Sequence, residues 1–170
     1  VHPALAKVVA QAFTLCAPPP KLTVSQWSDQ HRMLSPEDSA EPGRWRTSRM
    51  EPMREIMDAF NDPRVEEIVV QKGTQIGWTA VLGNVAGYVI DQDPAPMLLM
   101  QPTKAMAEEW SKARLAPMLR DTPRLRGKVR DPRSRDSGNT ILNKEFPGGR
   151  IAIIGANAPA DIASRPIKIV

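Results

Sequence analysis

The stretch that most constrains this chain is Gln71-Lys72-Gly73-Thr74-Gln75-Ile76-Gly77-Trp78-Thr79, because it joins the β-rich run Ile68-Val69-Val70 to a long apolar segment. A phosphate site needs a strand to deliver the chain, a turn small enough for backbone N–H groups to converge, and a helix whose N-terminus faces the anion. The order of residues here predicts all three. The usual loop reads Gly, four residues, then Gly-Lys-Ser/Thr, with the lysine on the β/γ-phosphates and the hydroxyl on Mg²⁺. Aligning on Gly77 puts Thr79 at the hydroxyl position, Trp78 where the lysine belongs, and Lys72 where the first glycine belongs. The pattern fails as written. Lys72, on its long stem at the front of the loop, can still reach across to the same oxygens. On these residues alone, a strand-to-helix turn whose glycines merely permit tight geometry is an equal alternative.

The flanks favour the phosphate reading. Val65 to Gln71 reads as a strand, and Ala80 to Ile90, with Val81, Leu82, Val85, Ala86 and Val89, as a helix buried against a sheet. Asp91-Gln92-Asp93-Pro94 ends that helix, and Pro96 to Met100 reads as a second, fully buried strand. Strand, loop, helix, strand is the opening of a parallel α/β sheet. Thr103 is then an N-cap for a helix with Met106, Trp110 and Ala113 on its buried face and a Glu108/Lys112 pair outside. That signal weakens at Pro117 and is gone by Pro123. Residues 140–154 read as a β-hairpin around Pro147-Gly148, a small-residue loop follows, and Ile167 to Val170 begins another strand.

Residues 1–50 read as a helical arm and linker, and 51–170 as the front part of a nucleotide-binding domain. Leu5, Val8, Val9, Ala12 and Phe13 have helical spacing before Pro18-Pro19-Pro20, and a second short helix is expected within Thr23 to Leu34. Trp27 and Trp45 are core or partner-packing residues, with base stacking an alternative for Trp45. Pro52 opens a helix with Met53, Ile56, Met57 and Phe60 on one face, ended by Asn61-Asp62-Pro63.

The lone Cys16 excludes an internal disulfide, and His2 and His31 have no neighbours at ligand spacing, which argues against structural zinc. No apolar run is long enough for a membrane span and no secretory leader is visible, so a soluble, cytoplasmic protein without membrane contact is expected. The net charge of +4 is uneven: residues 112–135 hold nine Lys or Arg against two Asp. Within that segment Arg124, Arg126, Lys128, Arg130, Arg133 and Arg135 are candidates for nucleic-acid contact, with a solvated loop as the alternative.

The residues also carry a family resemblance. Leu34-Ser35-Pro36-Glu37, Glu41-Pro42-Gly43-Arg44-Trp45-Arg46-Thr47, Lys72-Gly73-Thr74-Gln75-Ile76-Gly77-Trp78-Thr79, Asn139-Thr140-Ile141-Leu142, Phe146-Pro147-Gly148-Gly149, Gly155 to Ala160 and Ser164-Arg165-Pro166-Ile167 occur in this order. Together they resemble the large terminase subunit of tailed phages, specifically its GpA-like group, over about residues 25–170. The resemblance implies an α/β fold of the P-loop NTPase type, a parallel sheet flanked by helices, and an ATP-driven motor that packages double-stranded viral DNA. It implies ATP and Mg²⁺ at a variant Walker A loop, with Lys72 on the phosphates, Gly73, Thr74, Gln75, Ile76, Gly77 and Trp78 as the cradle, and Thr79 on the metal. It also implies a small terminase subunit, a portal and procapsid, and homo-oligomerisation as partnerships, in the bacterial host cytoplasm.

Two departures from the family pattern stand out. Many terminases carry an arginine inside the loop where this chain has Gln75, which leaves Arg165 or a neighbouring subunit as the expected source of a cation for the transferring phosphate. The acidic Asp-Glu pair expected beyond Ile167 and the nuclease domain are absent, so the chain is expected to be the front of a longer protein and poorly active alone. A helicase-like translocase on the same fold, or a non-catalytic partner-binding module, are the alternatives.

Overall fold

The computed structural model describes residues 21–129, 139–157 and 166–170. Thr23 starts the first helix: its side chain accepts from the Gln26 N–H while the Gln26 side chain accepts from the Thr23 N–H, a reciprocal cap. Helix α1 (Val24–His31) then buries Val24, Trp27 and Ser28, the i, i+3, i+4 face expected of an amphipathic helix. A small antiparallel pair follows, β1 (Met33–Leu34) with β2 (Gly43–Arg44), and then a 3₁₀ turn, Thr47–Met50. Helix α2 (Pro52–Ala59) has its proline in the first turn, where no N–H is needed.

Helix α3 (Trp78–Asp91) is buried along most of its length, matching its almost uniformly apolar sequence. Strand β3 (Pro96–Gln101) comes next, and Thr103, accepting from the Met106 N–H at 3.2 Å, caps α4 (Lys104–Trp110). The Glu108/Lys112 pair forms, at 3.7 Å. The helical path then widens into a π turn, Ser111–Leu115, before α5 (Ala116–Asp121). Pro117 explains the widening, because it has no N–H to donate and its ring crowds the carbonyl four residues back. The Ala116 N–H reaches instead to the Ser111 carbonyl, and the helix survives Pro117 as far as Asp121.

Strands β4 (Asn143–Phe146) and β5 (Gly149–Gly155) form the expected hairpin, with Gly148 at φ 83° in the turn. The sheet order is β3-β5-β4, with β3 parallel to β5, so the hairpin makes the sheet mixed rather than wholly parallel. Ile169 bridges in parallel to Met97 on the other side of β3, the Leu98 N–H donating to its carbonyl at 2.8 Å. Alternation along β5 separates two faces: Ile151 and Ile153 join the main core with Trp27, Met57, Val81, Val89 and Met97, while Ala152 and Ile154 pack with Leu98 and Ile167 opposite.

One expected element is missing. Residues 65–71 form no strand, and Val69 is 81% exposed. Their β-branched composition suits a pleated, half-buried surface, but no described residue lies alongside to supply a ladder. The expected first helix, around Leu5 to Phe13, together with Cys16 and His2, lies outside the described residues. Among the described residues no helix is long and apolar enough to cross a membrane.

Candidate functional site

The loop expected from sequence forms a turn over residues 74–77 that leads directly into α3. Two of its residues take the left-handed conformation, Gln75 at φ 58° and Gly77, the N-cap of α3, at φ 74°. The left-handed φ favours glycine at 77, and a Cβ there would lie 2.6 Å from Met50 Cε and 2.9 Å from Met50 Sδ, the flexible end of a side chain that would have to shift. The 3₁₀ turn Thr47–Met50 is therefore seated directly on the loop. None of the backbone N–H groups from Gly73 to Thr79 donates a hydrogen bond to another described residue. Those of the first helical turn have no partner inside any α-helix, and they leave a partial positive charge at its start.

Lys72 is exposed at the front of the turn; among the described residues its one polar contact is from Nζ to the Gly73 carbonyl at 3.4 Å, and no carboxylate pairs with it. Thr79 is exposed in the first turn of α3, and Trp78 packs partly buried against the core, as expected of a residue at the helix start. Facing the loop across an open cleft of about 1240 Å³ are residues of the 34–50 segment and Arg114 from the π turn. Five cationic side chains line it, Arg44, Arg46, Arg49, Lys72 and Arg114, against the two carboxylates of Asp38 and Glu41. The lining is net positive before any helix dipole is counted.

Most of these arginines have partners. Arg44 donates to the Asp29 and Gln30 carbonyls, at 2.8 and 3.1 Å, near the C-terminus of α1. Arg114 pairs with the Asp38 carboxylate and donates to the Asp38 carbonyl at 2.8 Å, tying the π turn to the opposite wall. Arg49 pairs with Glu41, both side chains more than half exposed. Arg46 has no polar partner among the described residues. Trp45 lies on the same wall but is only 4% exposed, with its indole N–H on the Thr47 hydroxyl at 3.0 Å, so it packs as a core residue. Sequence reading took this wall as part of an arm; its density of arginine around Arg44, Arg46 and Arg49 was the available signal.

The basic segment is organised differently from the expectation of one free cationic surface. Asp91, at the C-terminus of α3, is fully buried and gathers Arg124 at 3.1 Å, Lys128, the Trp27 indole N–H at 2.8 Å and the Gln92 amide at 2.8 Å. Burial pushes the Asp91 carboxyl up, but these donors, Lys128 foremost, outweigh it and hold the group down to about 2. Arg126 donates to the Arg120 carbonyl at 2.8 Å. Arg124 and Lys128 are thus structural partners of a buried carboxylate. Arg130, Arg133, Arg135 and Arg165 lie outside the described residues.

The loop and the cleft fit a nucleoside triphosphate with magnesium in three respects: unpartnered N–H groups at a left-handed turn, a lysine without a carboxylate, and a net positive wall. The volume suffices for a nucleotide. No group of three or more His, Cys, Asp or Glu side chains suited to a metal ion occurs among the described residues. A nucleotide-bound Mg²⁺ needs only one or two protein oxygens, and Thr79 offers one.

Comparison with known proteins adds the family. The model for "Phage terminase large subunit gpA, ATPase domain" matches residues 39–170. The large terminase subunit of Enterobacteria phage P21 is 30% identical over 131 residues, covering 77% of this chain and 20% of that protein. That of Escherichia phage lambda is 30% identical over 137 residues, covering 81% and 21%. The chain spans about a fifth of the length of these curated relatives. No solved structure matches.

Proposed function

The chain belongs to the family of phage terminase large-subunit ATPase domains, and from that premise we propose that its loop 72–79 binds ATP with Mg²⁺ as part of a motor that packages double-stranded viral DNA. The observation that carries the reading is the loop itself: seven consecutive N–H groups without partners among the described residues, beside Lys72, open on a net positive cleft. Lys72 holds the β/γ-phosphates, the N–H groups of Gly73 to Trp78 surround them, and the Thr79 hydroxyl holds the metal, which neutralises phosphate charge when bound. The small terminase subunit, the portal and procapsid, and further copies of the chain are the partners of that motor in the host cytoplasm. The division into an arm, 1–50, and an ATPase part, 51–170, belongs to the same proposal. Of the DNA-contact candidates among the described residues, Arg124, Arg126 and Lys128, Arg126 is the one whose guanidinium is not committed to a carboxylate.

Both carboxylates of the cleft are held in ion pairs in the absence of nucleotide, Asp38 by Arg114 and Glu41 by Arg49. We expect the chain to bind ATP with little turnover. Calorimetric titration with ATP and Mg²⁺ tests this: the wild-type chain binds and Lys72→Ala weakens binding at least tenfold. Equal affinity in the two proteins would overturn the assignment of Lys72, and absence of binding by the wild type would overturn the site.

A further inference from the structure

Resting on the nucleotide reading of the loop, we propose that Arg49 supplies, from the wall opposite, the cation that stabilises the transferring γ-phosphoryl group. In hydrolysis the water oxygen bonds to the γ-phosphorus and the bond from that phosphorus to the β–γ bridging oxygen breaks. The electron pair leaves on ADP, and the proton of water passes to solvent. Negative charge spreads over the γ-oxygens and the bridging oxygen as this occurs. The loop brings one cationic side chain, Lys72, and its crest carries the neutral Gln75 in a left-handed conformation.

The other cations of the cleft differ in availability. Arg44 is anchored by two carbonyls, and Arg114 is held by both the carboxylate and the carbonyl of Asp38. Arg46 is unpartnered, but it precedes the 3₁₀ turn. Arg49 lies inside that turn, one residue and so about 3.8 Å of backbone from Met50. Met50 in turn is partly buried in the core cluster with its terminal atoms against Gly77, which places this turn beside the start of α3. The Met50 packing sets the position, while among the described residues the side chain is held by Glu41 alone. Because that pair is exposed it is weak, and exchanging a carboxylate for phosphate oxygens is easy. The planar guanidinium then presents paired donors to two oxygens at once.

The test compares affinity for ADP·Mg²⁺ alone with affinity for ADP·Mg²⁺ plus aluminium fluoride, which mimics the planar transferring group. Wild type is expected to bind the fluoride complex at least tenfold more tightly than ADP. Arg49→Ala should lose that gain while its ADP affinity stays within threefold of wild type; Arg46→Ala should keep it. Glu41→Gln, which frees Arg49 without removing it, should keep or increase the gain, and this variant decides the matter should Arg49→Ala fail to fold. A gain that persists in Arg49→Ala, one lost equally in Arg46→Ala, one lost in Glu41→Gln, or a wild type without any gain overturns the role of Arg49. If wild type binds no ADP at all, the nucleotide reading of the loop has failed; if it binds ADP and only the gain is missing, the assignment of Arg49 alone has failed.

Discussion

Replacing Asp91 by asparagine separates charge from shape at the most connected buried group of the structure. The side chain is fully buried, and its donors come from three parts of the chain: Trp27 on α1, Gln92 beside it, and Arg124 with Lys128 beyond α5. Asparagine keeps the outline and can still accept from Trp27, but it is neutral. The folded carboxyl lies at about 2 against an unperturbed 3.8, close to two pH units. At 1.36 kcal/mol per unit, the charged form is stabilised by about 2.5 kcal/mol on folding. Arg124 and Lys128 are half and one-third exposed and can turn to water once the charge is gone, so the loss stays below the 3–5 kcal/mol typical of breaking a wholly buried pair. The sign follows from the depressed value. The contribution is complete above the unfolded value of 3.8 and disappears as pH falls through about 2. Urea denaturation of wild type and Asp91→Asn should therefore differ by about 2.5 kcal/mol at pH 7 and by roughly half of that at pH 3. A gap that is the same at both values would show that the donors stabilise Asp91 by geometry alone and refute the electrostatic account.

Two further substitutions test how α1 is held. In Gly87→Ala a Cβ would fall 2.5 Å from Trp27 Cη2 and 2.8 Å from Cζ3, and the rigid ring has no room to yield, so a loss of about 1–3 kcal/mol is expected in thermal or urea melts. Thr23→Ala removes the cap of α1 and should cost about 1 kcal/mol by the same measurement, with the nucleotide affinity of the loop unchanged.

Elements whose signal is local were legible in the sequence. Thr103 caps its helix as expected, because a side-chain oxygen needs only the next turn's N–H, and the short helix expected within Thr23 to Leu34 forms with Thr23 as its cap. Pro147-Gly148 turns the hairpin because Gly148 alone can take its φ without strain, and α3 announces itself by an apolar run that no exposed helix would carry. What was not legible depends on partners far away in the chain. Residues 65–71 have strand-like composition, yet a strand exists only beside another, and none of the described residues lies there. Arg124 and Lys128 counted toward a basic surface because nothing near them in sequence reveals that Asp91, more than thirty residues earlier, draws them in. The cleft wall was hidden for the same reason: Met50 meets Gly77 across an entire helix and the segment that follows it.

These distant contacts bear on the loop through a single helix. At the N-terminus of α3, Met50 sits on Gly77; near its C-terminus, Trp27 packs on Gly87 and donates to Asp91. Both contacts come from residues 24–50, so the segment that builds the wall of the cleft also fixes the helix whose start forms its floor. A helix held at one end could pivot and carry its N-terminal N–H groups away from a phosphate. Packed at both ends, it keeps the start of α3 and the wall in register, so the backbone N–H groups after Gly77 are in place before any ligand arrives, while the exposed Lys72 and Arg49 side chains adjust to it. Such preorganisation is what a site acting through fixed charges requires, since donors already in place need not reorganise as charge develops. The residues before 39, outside the family match, supply Trp27 to that arrangement. Among them Leu34 and Asp38 line the cleft directly, while Trp27 acts on it only through the helix it packs against.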